Sequence, residues 1–80
     1  MPYYRFIWTE ISKAKVEAHG VTLDEFEAIL CDPLHTDISR TTGRPIAFGF
    51  GEDGRMLACV YELEDDFDVI PITAYEVDDA

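Results

Sequence analysis

The 80-residue chain has little positive charge: six Lys and Arg stand against 17 Asp and Glu, a formal net charge of −11 at pH 7. A polyanion such as nucleic acid is repelled by the protein as a whole, so an RNA site has to be gathered by folding from Arg5, Lys13, Lys15, Arg40, Arg44 and Arg55. The imbalance is also uneven, because residues 56–80 hold eight carboxylates and no cation. Solubility, a salt-rich cytoplasm or a basic partner accounts for such acidity without further machinery. Long apolar runs are missing as well. No stretch approaches the roughly 20 apolar residues of a membrane span, and "MPYYRFIW" lacks the basic start and apolar run of a signal peptide. The expectation is a cytoplasmic protein without a membrane role.

Cysteine is scarce. Cys31 and Cys59 form no C-x-x-C spacing and lie on apolar segments, which points to reduced, buried thiols rather than a disulfide. His35 follows Cys31 by four residues, but no third metal ligand stands out. "EDDFD" (64–68) lacks the glycine and the twelve-residue ligand pattern of a calcium loop and reads as a solvated turn. Nucleophile motifs, glycine-rich phosphate loops and repeats are absent. Neither metal nor cofactor is expected.

What is present suits one small core. With 48% hydrophobic residues, five Phe, four Tyr and one Trp, the length supports a single domain over residues 1–80 with little stability in reserve. "YYRFIW" (3–8) is aromatic, β-branched and free of breakers, and predicts a strand. "TEISKAKVEAH" (9–19) predicts a helix capped by Thr9, closed at Gly20, with Ile11, Ala14 and Ala18 at helical spacing. A second helix follows the turn at "HGV". Thr22 and Glu25 have capping-box spacing, Val21 and Phe26 stand at staple positions, and Leu23, Phe26, Ile29 and Leu30 make an apolar stripe that Asp32-Pro33 ends.

Residues 34–44 show no sustained period and read largely as loop, with room for a short strand around Thr36 to Ser39. Three strands follow: 45–50, 55–63 and 68–77. Asp53-Gly54 is a hairpin turn signal between the first two, "EDDF" joins the last two, and Pro71 implies an edge or a bulge in the last. The expected fold is therefore α+β, in the order β-α-α-β-β-β, with two helices packed on one face of a small antiparallel sheet. Alternation assigns three rows to the core: Ile46, Phe48 and Phe50; Leu57, Cys59, Tyr61 and Leu63; Ile70, Ile72 and Ala74. The opposite row of the last strand, which includes Val69, Thr73, Tyr75 and Val77, is also apolar. A partner or a second copy of the chain can cover that face.

The order of several short motifs resembles a known family. The aromatic first strand, "HGV" between two helices, "DP" after the second, Arg44 five residues before Gly49, then "GRMLACVYE" and "PITAYEV", resemble the BrnT-type toxins of bacterial toxin–antitoxin pairs, in particular an acidic branch ending in "TAYEV". These are small relatives of the RelE and ParE toxins, and the likeness spans nearly the whole chain. The resemblance implies a RelE-like fold and a ribonuclease acting on messenger RNA, silenced by a cognate antitoxin. It also implies that a lysine of the first helix, here Lys13 or Lys15, and arginines of the sheet hold the phosphate. Arg44 matches the arginine opening the first meander strand, and Arg55 the basic residue after the hairpin glycine. Tyr75 stands where the family ending "SAR" carries arginine.

That replacement bears on the chemistry. Cleavage by a 2′-hydroxyl needs a base, an acid and positive charge on the crowded phosphorane. Tyrosine can donate a proton or stack on a base, but its hydroxyl ionises only far above neutrality and makes a poor base. His19 is the side-chain type best suited to proton transfer near neutrality, although a histidine at a helix C-terminus more often meets the terminal carbonyls. Arg40, beside "TTG", is a candidate phosphate contact, and Tyr61 a candidate for lining the site. Two readings stand. One is a toxin-fold ribonuclease, active or weakened, with Tyr75, Arg44, Arg55 and His19 in catalysis and Lys13, Lys15, Arg40 and Tyr61 in substrate binding. The other is a non-catalytic acidic module that keeps the fold and binds a basic protein partner.

Overall fold

The computed structural model describes residues 4–77. The chain runs β1 (Arg5–Phe6), α1 (Glu10–Ala18), α2 (Leu23–Cys31), β2 (His35–Ile38), β3 (Pro45–Phe50), β4 (Met56–Glu64) and β5 (Asp68–Glu76). The strands form one five-stranded sheet in the order β1-β5-β4-β3-β2. Strands β2 to β5 pair antiparallel, whereas β1 lies parallel to β5, with Arg5 opposite Asp68. The fold is α+β as expected, but the sheet is mixed. The helical pair carries the chain to the far edge, and three reversals return β5 beside β1 in the same direction.

The region 34–44 supplies a strand that periodicity does not announce. His35–Ile38 is exposed throughout and pairs along the free edge of β3, from His35 opposite Phe48 to Ile38 opposite Pro45. With no buried face, β2 has no reason to alternate. The first strand is shorter than the expected 3–8. Tyr3 lies outside the described residues, and Trp8 turns away to stack edge-on against Phe26 at 5.1 Å while its indole donates to Glu27 at 2.9 Å.

Both helices start at capping boxes. In α2, Thr22 accepts from the Glu25 amide at 3.1 Å while Glu25 accepts from the Thr22 amide at 2.9 Å, which satisfies two otherwise orphaned donors. Val21 and Phe26 are both buried, as are Ile29 and Leu30. In α1, Thr9 is answered by Ser12 instead of an acid. Its expected stripe faces water, with Ile11 70% exposed, and the buried residues are Ser12 and Val16. The box turns Ser12 inward, which puts Val16, one turn on, under the helix.

Both helices pack on the same face of the sheet, α1 on β5 and α2 on β3 and β4. The covered row is Ala47 and Gly49, Leu57 and Cys59, Val69 and Ala74, which meet Val16, Val21, Phe26, Ile29 and Leu30. The expected β4 row is therefore correct at Leu57, Cys59 and Tyr61, which packs against the core, but Leu63 near the strand end is 42% exposed, while the β3 row is reversed. Ile46, Phe48 and Phe50 lie on the other face, and Phe50 is 58% exposed. Gly49 explains the reversal: a Cβ there would come within 3.0 Å of the Ile29 side chain, so α2 sits directly on the glycine.

In β5 the cause is a bulge. Val60 pairs with Thr73 but Tyr61 with Pro71, so Ile72 is an extra residue and the alternation shifts by one. Ala74 stays inward as expected; Val69 replaces Ile70 in the core. Pro71 is tolerated because β1 pairs with β5 only as far as Val69. Cys59 is buried, but Cys31 is exposed at the end of α2, and both are free thiols. Substituting Gly49→Ala should destabilise the fold by about 1–3 kcal/mol through overpacking against Ile29. Urea unfolding checks this, and an unchanged midpoint would show that Ile29 yields freely.

Candidate functional site

The sheet cations are each occupied by carboxylates. Arg5 grips Asp68 through Nε at 2.9 Å and Nη2 at 3.0 Å. Arg44 holds Glu62 at 2.8 Å across the strands. Arg55 reaches the other way, donating from Nη2 to the Gly20 carbonyl at 2.9 Å, with Asp53 at 2.5 Å and Glu76 at 4.0 Å. The Asp53 approach to Nε lies off the N–H axis and makes an ion pair rather than a hydrogen bond at that nitrogen. Contact with Asp53 raises the Arg55 pKa, and the same contact lowers that of Asp53. Arg55 thus ties the β3–β4 hairpin to the turn between the helices.

Glu25 completes that junction. Its carboxylate also accepts from the Glu52 amide at 2.8 Å, linking the α2 N-terminus to the hairpin. Its pKa is lowered, chiefly by the Thr22 amide and further by the Glu52 amide and nearby Arg55, against the opposing effect of burial. Buried Cys59 is pushed up to about 12 by desolvation and by Glu25. A thiol so held is not a nucleophile near neutrality.

The expected site residues do not converge. Arg44 and Tyr75 share the bare face of the sheet, yet Tyr75 stands opposite Ala58, four residues along β4 from Glu62, about 13 Å at the usual strand rise. Arg55 turns toward the helix layer. Tyr61 also faces the helices, packed against the core, and its pKa is raised by burial and by Tyr4. Lys13, Lys15 and His19 lie exposed on α1 and its C-cap, and Arg40 lies exposed in the loop before β3. Among the described residues no carboxylate pairs with Lys13, Lys15 or Arg40.

What the fold does assemble is an apolar surface on the bare face. Phe48, Ala58 and Tyr75 stand in one cross-strand row, and Ile46, Val60 and Thr73 in the next. Ala58 is fully buried although no helix covers it, and Val60 is nearly so. Their neighbours on β3 and β5 therefore close over them, and the surface along β4 is formed by Ile46, Phe48, Thr73 and Tyr75. At one end lies a cavity of about 260 Å³ lined by Leu34, His35, Asp37, Phe48, Met56 and Val77, with the His35 ring stacked on Phe48 at 5.5 Å. At the other end stand Glu62, Glu64 and Asp68, followed by Asp65 and Asp66 in the β4–β5 turn. The apolar row of β5 at Thr73, Tyr75 and Val77 was the signal for this surface in the sequence. Phe48 and Met56 gave none.

Among the described residues no cluster of three His, Cys, Asp or Glu side chains is placed to hold a metal, and no helix is long and apolar enough to cross a membrane. No family model, curated protein or solved structure matches the chain.

The Glu25 junction sets a pH dependence. A lowered folded-state pKa adds stability that is present above the ordinary glutamate value of 4.5 and is lost as pH falls through the folded value. In Glu25→Gln that contribution is gone. The difference in urea midpoint between wild type and variant should be large near about pH 6 and shrink toward about pH 3; a pH-independent difference would remove Glu25 ionisation from the account.

Proposed function

We propose that the protein is a non-catalytic interaction module that presents the bare face of its sheet to a cationic protein partner. The observation that carries this reading is the apolar face that no helix covers, where Phe50 and Tyr75 remain exposed and a cavity opens beside Phe48, Met56 and Val77, with carboxylates at the far end of β4. An exposed apolar surface with a polar rim is the usual mark of a protein-binding site. The acidity supports a basic partner. Both arginines on the described bare face, Arg5 and Arg44, are already paired with Asp68 and Glu62, so that face contributes little free positive charge.

The ribonuclease reading is favoured less. Phosphoryl transfer on RNA needs cations and proton-transfer groups around one phosphate, and Arg44, Arg55, Tyr75 and His19 lie apart, with both arginines held by carboxylates. Tyr75 has Ala58 opposite it and Phe48 beyond. Neither neighbour moves a proton.

Induced expression in a bacterium, with messenger RNA followed over time, separates the two readings. The expected result is unimpaired growth and intact RNA for both wild type and an Arg44→Ala, Arg55→Ala double variant. Growth arrest with RNA loss that the double variant abolishes would overturn the module and establish a ribonuclease toxin working through those cations.

A further inference from the structure

Resting on the interaction-module reading, we infer that the cavity at the His35 end of the bare face seats one long basic side chain of the partner, its alkyl stem against Phe48, Met56 and Val77 and its charge at the Asp37 carboxylate. Position is the first ground. His35 stands opposite Phe48 and Asp37 opposite Ile46, so both polar residues of β2 share the bare face. Phe48, Met56 and Val77 are half-buried and form the inner wall, whereas Leu34, His35 and Asp37 are exposed at the rim. The cavity is therefore apolar within and carries a carboxylate at its edge.

Size is the second ground. At about 260 Å³ the cavity falls below the roughly 300 Å³ at which pockets begin to enclose a drug-sized ligand. It suits a single side chain.

Charge selects among side chains. Asp37 is the one carboxylate of the lining. Its Oδ1 accepts from the Ile38 amide at 2.8 Å, and no cation pairs with it among the described residues, which leaves Oδ2 for an incoming donor. A wholly apolar side chain would fill the inner wall but take water from Asp37 and return no partner. An acidic one meets a like charge. Lysine or arginine answers both parts of the cavity, because the stem packs on apolar surface while the head stays at the wet rim, and the Phe48 ring adds cation–π attraction. A second copy of this chain could offer Lys13 or Lys15, but it brings a charge of −11 against −11, which opposes that pairing.

The test uses the full chain and defined probes: short glycine peptides with blocked termini and one central residue, which is lysine, arginine, norleucine or glutamate. In a methyl and aromatic NMR titration at low salt, where an exposed ion pair is least screened, the better of the two basic peptides should shift Phe48, Met56 and Val77 saturably. It should bind at least about fivefold more tightly than the norleucine or glutamate peptide. Asp37→Asn should erase the margin over norleucine while norleucine binding stays as it was. Glu17→Gln on α1, which removes the same unit of charge from the far side of the sheet, should leave the margin intact, so that a local contact is separated from the general field. A spectrum of undiminished dispersion shows that each variant is folded. No saturation by about 10 mM, norleucine or glutamate binding as tightly as the basic residues, a margin that survives Asp37→Asn, or shifts confined to the helices each overturn the inference. Failure here, with RNA intact in the expression experiment, discards the pocket and leaves the module; RNA cleavage discards the module itself.

Discussion

Two helices of nine residues each run only about 14 Å apiece, against a sheet of five strands some 19 Å across. They cover one face and no more. That constraint determines the rest of the molecule. The covered face holds the buried cluster around Phe26, Leu57 and Val69, and the side chains alternating with it have no second layer to enter. Phe50 and Tyr75 consequently remain 58% and 38% exposed. In a domain this small, where the core leaves little margin, exposed aromatic area of that kind is costly to keep unless something occupies it.

Electrostatics is arranged around the same limit. The short helices need their ends fixed, and Glu25 does this for α2 by accepting both the Thr22 and Glu52 amides. Arg55 locks the neighbouring turn by binding the Gly20 carbonyl. The left-handed Gly20, at φ +76°, brings its carbonyl within that reach. With Arg5 and Arg44 also paired, all three arginines near the sheet serve internal geometry. The outward field then belongs to the carboxylates, among them Glu64, Asp65 and Asp66 at the end of β4, which pair with no cation among the described residues. Net charge alone does not locate such a field; the occupied arginines do.

Local signals were legible in the sequence wherever a structure is decided within a few residues. The α2 capping box, the Val21–Phe26 staple, the stop at Asp32 and the Asp53-Gly54 turn all depend on neighbours in the chain, and all occur. Choices settled at long range were not. Which face of β3 meets the helices follows from Ile29 resting on Gly49, and the bulged register of β5 is fixed only by its pairing with β4. β2 was nearly invisible because an edge strand with both faces wet needs no pattern. For the candidate site, the apolar row at Thr73, Tyr75 and Val77 was readable as a surface. The pairing of Arg44 was not, since Glu62 lies far from it in sequence, and neither was the reach of Arg55 to the Gly20 carbonyl across the fold.

Tyr75 owes its position to the extra residue at Ile72. Strict alternation from Val69 would carry Tyr75 onto the helix face, where the bulge instead places Ala74 opposite Cys59. A tyrosine has no room there, since Ala74 and Cys59 are both fully buried. The slip that lets the core close with alanine therefore turns the tyrosine outward, opposite Ala58, onto the bare face. Core packing and the candidate binding surface are set by the same bulge. A change at this end of β5 cannot alter one without reaching the other, which makes the bare face a product of the fold's own closure rather than an ornament added to it.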